Sequence, residues 1–130
     1  MQRPDKTPRL FTVDEANALL PTLRPLLINI LQARQNIVAA QTELWPVLEK
    51  AVNNGGSKKA GAVLADFEVI QRNVKAIQEL GIEIKDINIG LVDFPAERDG
   101  REVYLCWRFD EPCVAHWHDL DSGFGGRQPL

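Results

Sequence analysis

Leu91-Val92-Asp93-Phe94-Pro95-Ala96-Glu97-Arg98-Asp99-Gly100-Arg101-Glu102-Val103-Tyr104-Leu105-Cys106-Trp107-Arg108 decides the fold. The stretch is rich in β-branched and aromatic residues, which suit a pleated, half-buried surface. Asp99-Gly100 is a pair that accepts positive φ at both central positions of a two-residue hairpin turn. The reading predicts strands over Ile89–Phe94 and Glu102–Phe109, joined near that turn, and a third over Cys113–His118 after a turn at Asp110-Glu111-Pro112. Such a sheet buries its apolar face only against a second layer.

The second layer lies upstream, where the apolar period becomes helical. Leu23, Leu27, Ile30, Arg34, Ile37, Gln41, Leu44 and Leu48 step by four and three, a heptad seam on a helix reaching about Val52. Leu26, Leu31, Val38 and Trp45 widen it toward a bundle core. Arg34 and Gln41 either fix register against a partner helix or sit near solvent as the stripe drifts around them. Pro46 predicts a bend. Asn53–Ser57 reads as a loop, and Ala60, Val63, Phe67, Ile70, Val74 and Ile77 form a second seam ending near Leu80, with Gly81 as its cap. A short loop between helices favours an antiparallel hairpin.

Ahead of the seam, Thr12-Val13-Asp14-Glu15 fits a capping box. It should start a short helix that Pro21 ends near Leu20, with Thr22 recapping the chain and Pro25 in the new first turn. Ile82–Asp86 is either a connector or a brief strand. The fold class read is α+β: a long antiparallel helical hairpin packed on a three-stranded antiparallel β-meander, preceded by a short capped helix. Residues 1–10 read as a flexible tail and 11–130 as one domain. Within it, 12–81 is helical, 88–118 is the meander and 119–130 is a glycine-rich tail.

The 130 residues suit one domain, and 45% hydrophobic residues supply one core. A net charge of −3, without a basic stripe, argues against nucleic acid. No apolar run fits a signal peptide or a membrane span, so a cytoplasmic protein is expected. Two cysteines, Cys106 and Cys113, are too few for a disulfide framework.

Several residues bear chemistry. His116 and His118 alternate on one strand and share a face. With Asp119 and Asp121 after them, they could hold a divalent metal. Packed, hydrogen-bonded structural histidines are the plainer alternative. Asp93 interrupts an apolar strand, where a charge needs a partner. A two-residue turn at Asp99-Gly100 puts Asp93 opposite Cys106 and leaves Arg108 within diagonal reach, unless Asp93 simply faces solvent. A three-residue turn at 110–112 puts Cys106 opposite His116, so that Asp93, Cys106 and His116 share a rung. A one-residue slip in either hairpin removes that alignment. Cys106 is a candidate nucleophile if a base or cation holds its thiolate, and otherwise a small buried hydrophobe. Gly123-Phe124-Gly125-Gly126-Arg127 could cradle an anion, or be a tail docked by Phe124 and Leu130.

Phe11-Thr12, Glu15-Ala16-Asn17, Pro21, Gly90–Pro95, Gly100-Arg101, Val103, Leu105–Arg108, Glu111, Trp117-His118, Gly123-Phe124 and Gly126-Arg127 together give the chain a resemblance to the bacterial family called domain of unknown function 2203. The resemblance covers nearly the whole chain. It implies a small bacterial cytosolic protein and brings no activity with it. His116 departs from the pattern, where an aromatic is expected, which leaves His118 as the better candidate histidine.

Two functions follow from these residues. One is a small-molecule, anion or metal site built from Asp93, Arg108, Glu111, His118 and Arg127. Its catalytic form uses His118 as base or ligand, oriented by Asp93, with Cys106 as a further candidate. The other is a partner-binding or assembly module, a homodimer through the hairpin. A helix of about 30 residues spans roughly 45 Å, more than three strands cover.

Overall fold

The computed structural model describes residues 9–54 and 58–130, with side chains described for 9–40 and 61–130. Most of the segment 1–10 read as a tail, and residues 55–57 of the segment read as a loop, lie outside the described residues, as do the side chains of Gln41, Leu44, Trp45, Pro46, Leu48 and Ala60, while Asn53 and Asn54 of that expected loop are instead the last residues of the first helix.

Helix α1 runs without interruption over Val13–Asn54, and α2 over Lys58–Glu79. The capping box forms as read: the Glu15 amide donates to Thr12 Oγ1 at 3.1 Å, and the Thr12 amide donates to Glu15 Oε1 at 2.9 Å. The separate short helix does not form, because the chain passes through Pro21 and Pro25 as helix. An interior proline costs about 3 kcal/mol. Leu20, Leu23 and Leu27 are buried on the opposite side of the same turns. Each returns roughly 1.5–3 kcal/mol on burial, so packing outweighs the two prolines. Both prolines are exposed, where water can reach the carbonyls they leave unpaired.

Asn29 bonds Asn73, and Asn36 bonds Asp66, so residues pair in descending order and the hairpin is antiparallel. The buried stripe of α1 is Ala16, Leu20, Leu23, Leu27, Ile30 and Ala33. It drifts around Arg34, which is left half-exposed and donates to the Asn88 side chain. In α2, Val63 and Ile77 are buried, but Phe67 is 55% exposed and leaves the predicted seam. Polar Asn36–Asp66 contact occupies that level of the hairpin instead.

Among the described residues the sheet has five antiparallel strands rather than three: β1 Glu83–Asp86, β2 Leu91–Arg98, β3 Arg101–Arg108, β4 His116–Asp119 and β5 Gln128–Pro129, in sequential order. Two short edge strands thus extend the meander, one from the ambiguous Ile82–Asp86 segment and one from the glycine-rich tail. Asp99 (φ 53°) and Gly100 (φ 80°) form the two-residue turn, which sets Asp93 opposite Cys106. The next connection spans 109–115 and is no tight turn, yet Cys106 still faces His116. Val92, Phe94, Ala96, Val103, Leu105, Trp107 and Trp117 join the leucines of α1 in one core. Their alternates, Asp93, Tyr104, Cys106, His116 and His118, project from the other face.

Candidate functional site

An antiparallel sheet with helices on one side ordinarily presents its other side to water. Here Asp93 (1% exposed) and His118 (2%) lie on that other side and are buried. The chain after β4 covers them. Leu130 bonds back to the Ala115 carbonyl, β5 pairs with β4, and Arg127 Nη2 donates to the Cys106 carbonyl and to Glu111 Oε1 at 2.7 Å. The Phe124 ring lies 4.8 Å from the Arg127 guanidinium and 5.6 Å from that of Arg108. Between the sheet and residues 120–124 lies a cavity of about 210 Å³. Asp93 and His118 line it with Lys85, Tyr104, Leu120 and Phe124.

His118 Nε2 lies 3.0 Å from both carboxylate oxygens of Asp93. Its Nδ1 lies 2.7 Å from the Asp119 carbonyl, which only accepts, so Nδ1 carries a hydrogen. One proton is therefore held between Nε2 and the Asp93 carboxylate, whichever group owns it. Burial pushes the Asp93 carboxyl above its ordinary range, opposed by the His118 hydrogen bond. The Cys106 thiol is pushed up to about 12, first by burial and then by the adjacent Asp93 charge. It is therefore protonated at neutral pH. The Asp93, Cys106 and His118 donor atoms all lie within 4.8 Å of one another.

The other candidates separate from this group. Arg108 does not reach Asp93; its Nε donates to Asp110 at 2.6 Å. Glu111 accepts from the Arg108 amide at 2.8 Å and from Arg127. Burial raises its carboxyl, but these bonds prevail and hold it below the usual range. His116 turns toward Glu111, with Nδ1 3.5 Å from Oε2. Asp119 pairs with Arg101 at 2.9 Å, while Asp121 borders the cavity. The set His116, His118, Asp119 and Asp121 is thus not assembled as one cluster, and Cys113 is exposed and apart. His118 on β4 reaches Asp93 on β2 across the intervening strand β3, where its own ladder partner is Tyr104 and that of Asp93 is Cys106.

Sequence reasoning missed Tyr104 and Lys85. Tyr104 pairs with His118 across the ladder and donates to Glu83 at 2.8 Å, while Lys85 also bonds Glu83 at 2.9 Å. The register was a usable signal for Tyr104, since it sits two residues before Cys106 on the same face. Arg24 was missed as well. It donates from α1 to the carbonyls of Phe109, Glu111 and Pro112 and so fixes the loop that carries Glu111.

The residues that converge on this face belong to the part of the chain matched by a family model, described as Uncharacterized conserved protein (DUF2203), over residues 9–130. The chain belongs to the DUF2203 family. No curated protein and no solved structure matches it. Membership in DUF2203 supplies no reaction, so the chemistry of the site rests on its geometry. Among the described residues, no helix is long and apolar enough to cross a membrane.

Proposed function

We propose that this DUF2203 protein binds a small polar molecule in the cavity beneath its C-terminal segment, with Asp93 and His118 as the hydrogen-bonding floor. The observation that carries the reading is the burial of two ionisable side chains, in mutual contact, on the face away from the helices. A core has no need of them there, and buried polar groups are costly unless their partners are exact. At about 210 Å³ the cavity has room for roughly seven waters, so its ligand has about that many non-hydrogen atoms. Leu120 and Phe124 offer an apolar wall, Lys85 offers the ammonium hydrogens left free by its bond to Glu83, and the Tyr104 hydroxyl, whose hydrogen goes to Glu83, offers an acceptor. Arg108, Glu111 and Arg127 act on the cover rather than on the ligand. A divalent cation is the cofactor class suited to this floor. In the catalytic form His118 moves a proton and Asp93 orients it.

The test is two-dimensional amide NMR of the labelled full chain against a panel of neutral and anionic fragments of about seven to ten heavy atoms. Shifts confined to Asp93, Tyr104, His118 and 120–124 support the reading. A panel that moves none of them, or moves only the hairpin, removes it.

A second reading rests on the exposure of Leu64 (61%) and Phe67 on α2. We propose that a homodimer forms through the hairpin, checked by sedimentation of wild type against Leu64→Glu/Phe67→Glu. Cysteine content supports a cytoplasmic location, the family resemblance implies a bacterial one, and the net charge of −3 favours neither nucleic acid nor a membrane as partner.

A further inference from the structure

We propose that Asp93, Cys106 and His118 are a ligand set for one thiophilic divalent cation of the zinc class, with the covered cavity supplying its fourth, open coordination position. Three observations carry this. First, a carboxylate, a thiol and an imidazole nitrogen, all buried, bring one donor atom each within 4.8 Å of the others. Tetrahedral zinc with bonds of roughly 2.0–2.3 Å separates its donors by about 3.5 Å, so the three groups need shift by no more than about an ångström. Second, the Nδ1 hydrogen of His118 is committed to the Asp119 carbonyl, leaving Nε2 as the donor that faces Asp93 and Cys106. Metal-ligating histidines are ordinarily oriented by such a bond on the other ring nitrogen. Third, Asp93 and His118 also line the cavity, so a ligand or water has space beside them.

The choice of ion follows from the donors. Mg²⁺ and Ca²⁺ take oxygen ligands, and a buried thiolate with only one carboxylate suits neither. A thiolate and a carboxylate together neutralise a dication, which removes the objection to burying two anions. In balance, the ion enters while two protons leave. One comes from the Cys106 sulfur and the other is the proton held between Asp93 and His118. No oxidation state changes. The His116–Glu111 pair lies on the same face, with Arg127 between Glu111 and the Cys106 carbonyl. Arg127 thereby places a fixed cation beside the strand that carries the thiolate.

The inference shares its floor with the small-molecule reading but stands apart from it. An ion bound without any fragment leaves the inference intact, and fragments bound without an ion overturn it alone.

The experiment is titration of tag-free full-length protein with Co²⁺, followed by the near-ultraviolet thiolate-to-cobalt charge-transfer band. The expected result is a band that saturates at one equivalent, is displaced by Zn²⁺ and not by Mg²⁺, persists in Cys113→Ser and is lost in Cys106→Ser. No band at one equivalent overturns the inference, as does a band that survives Cys106→Ser and vanishes in Cys113→Ser. Should Cys106→Ser fail to fold, X-ray absorption of the zinc-loaded wild type decides. One sulfur at about 2.3 Å with two or three nitrogen or oxygen neighbours supports the site, and a shell without sulfur refutes it.

Discussion

The Arg24 guanidinium lies over the Trp107 ring, 4.9 Å from its centroid, and its two terminal nitrogens reach three backbone carbonyls of the 109–112 loop. One side chain of α1 therefore ties the helical layer to the loop that carries Glu111. Trp107 adds to this by donating its indole hydrogen to the Glu111 carbonyl at 3.0 Å.

Arg24→Ala should cost about 2–3 kcal/mol of folding stability, since charge-assisted bonds and a stacked cation are lost together. Arg24→Lys should recover less than half of it, because an ammonium cannot reproduce the planar fork. Urea denaturation with an unchanged m-value checks both.

The buried pair gives a second prediction. Asp93→Leu or His118→Leu alone strands a buried polar partner, and in chelator each should destabilise by about 3 kcal/mol. The double variant should be at least about 1 kcal/mol better than the sum of the singles, because it strands nothing. Strict additivity in the mutant cycle would show that the two side chains do not act as a unit.

Acid stability should depend on Glu111. Its carboxyl is depressed in the fold, despite burial, by Arg127 and the Arg108 amide, while an unfolded glutamate titrates near about 4.3. A depressed folded pKa stabilises the protein at pH above the unfolded value, and the contribution is lost as pH falls through the folded value. The stability gap between wild type and Glu111→Gln should be flat near neutrality and close at low pH. A gap that widens below about pH 4 would reverse the sign of this argument.

Two glycines should respond differently to alanine. Gly100 (φ 80°) has open space around it, so Gly100→Ala pays only for the backbone, about 1–2 kcal/mol. At Gly90 (φ 65°) an added Cβ would lie 2.7 Å from Phe109 Cβ, where Phe109 also donates to the Gly90 carbonyl. Gly90→Ala should therefore lower the melting temperature by clearly more than Gly100→Ala, read by calorimetry.

The comparison of Pro21 with Asp99-Gly100 separates what a sequence carries from what it does not. Positive φ at both turn positions is a local demand, and the residues that meet it are adjacent, so the turn and the Asp93–Cys106 rung were legible. The capping box was legible for the same reason, its two bonds spanning three residues. Pro21 also signals locally, but its penalty is set against Leu20, Leu23 and Leu27, whose burial depends on a sheet beginning some sixty residues later.

By itself, then, the sequence determined the α+β class, the helical hairpin, the central antiparallel strands and the shared face of Asp93 and Cys106, because each follows from period or turn chemistry within a short window. Tertiary structure alone decided that α1 is one helix, that Phe67 stays outside the core, and that His118 rather than His116 meets Asp93. It also decided that the glycine-rich segment closes over that pair. Those outcomes turn on burial, sheet geometry and a cover held by Arg127 and Phe124, and burial is a property of the assembled chain rather than of any stretch within it.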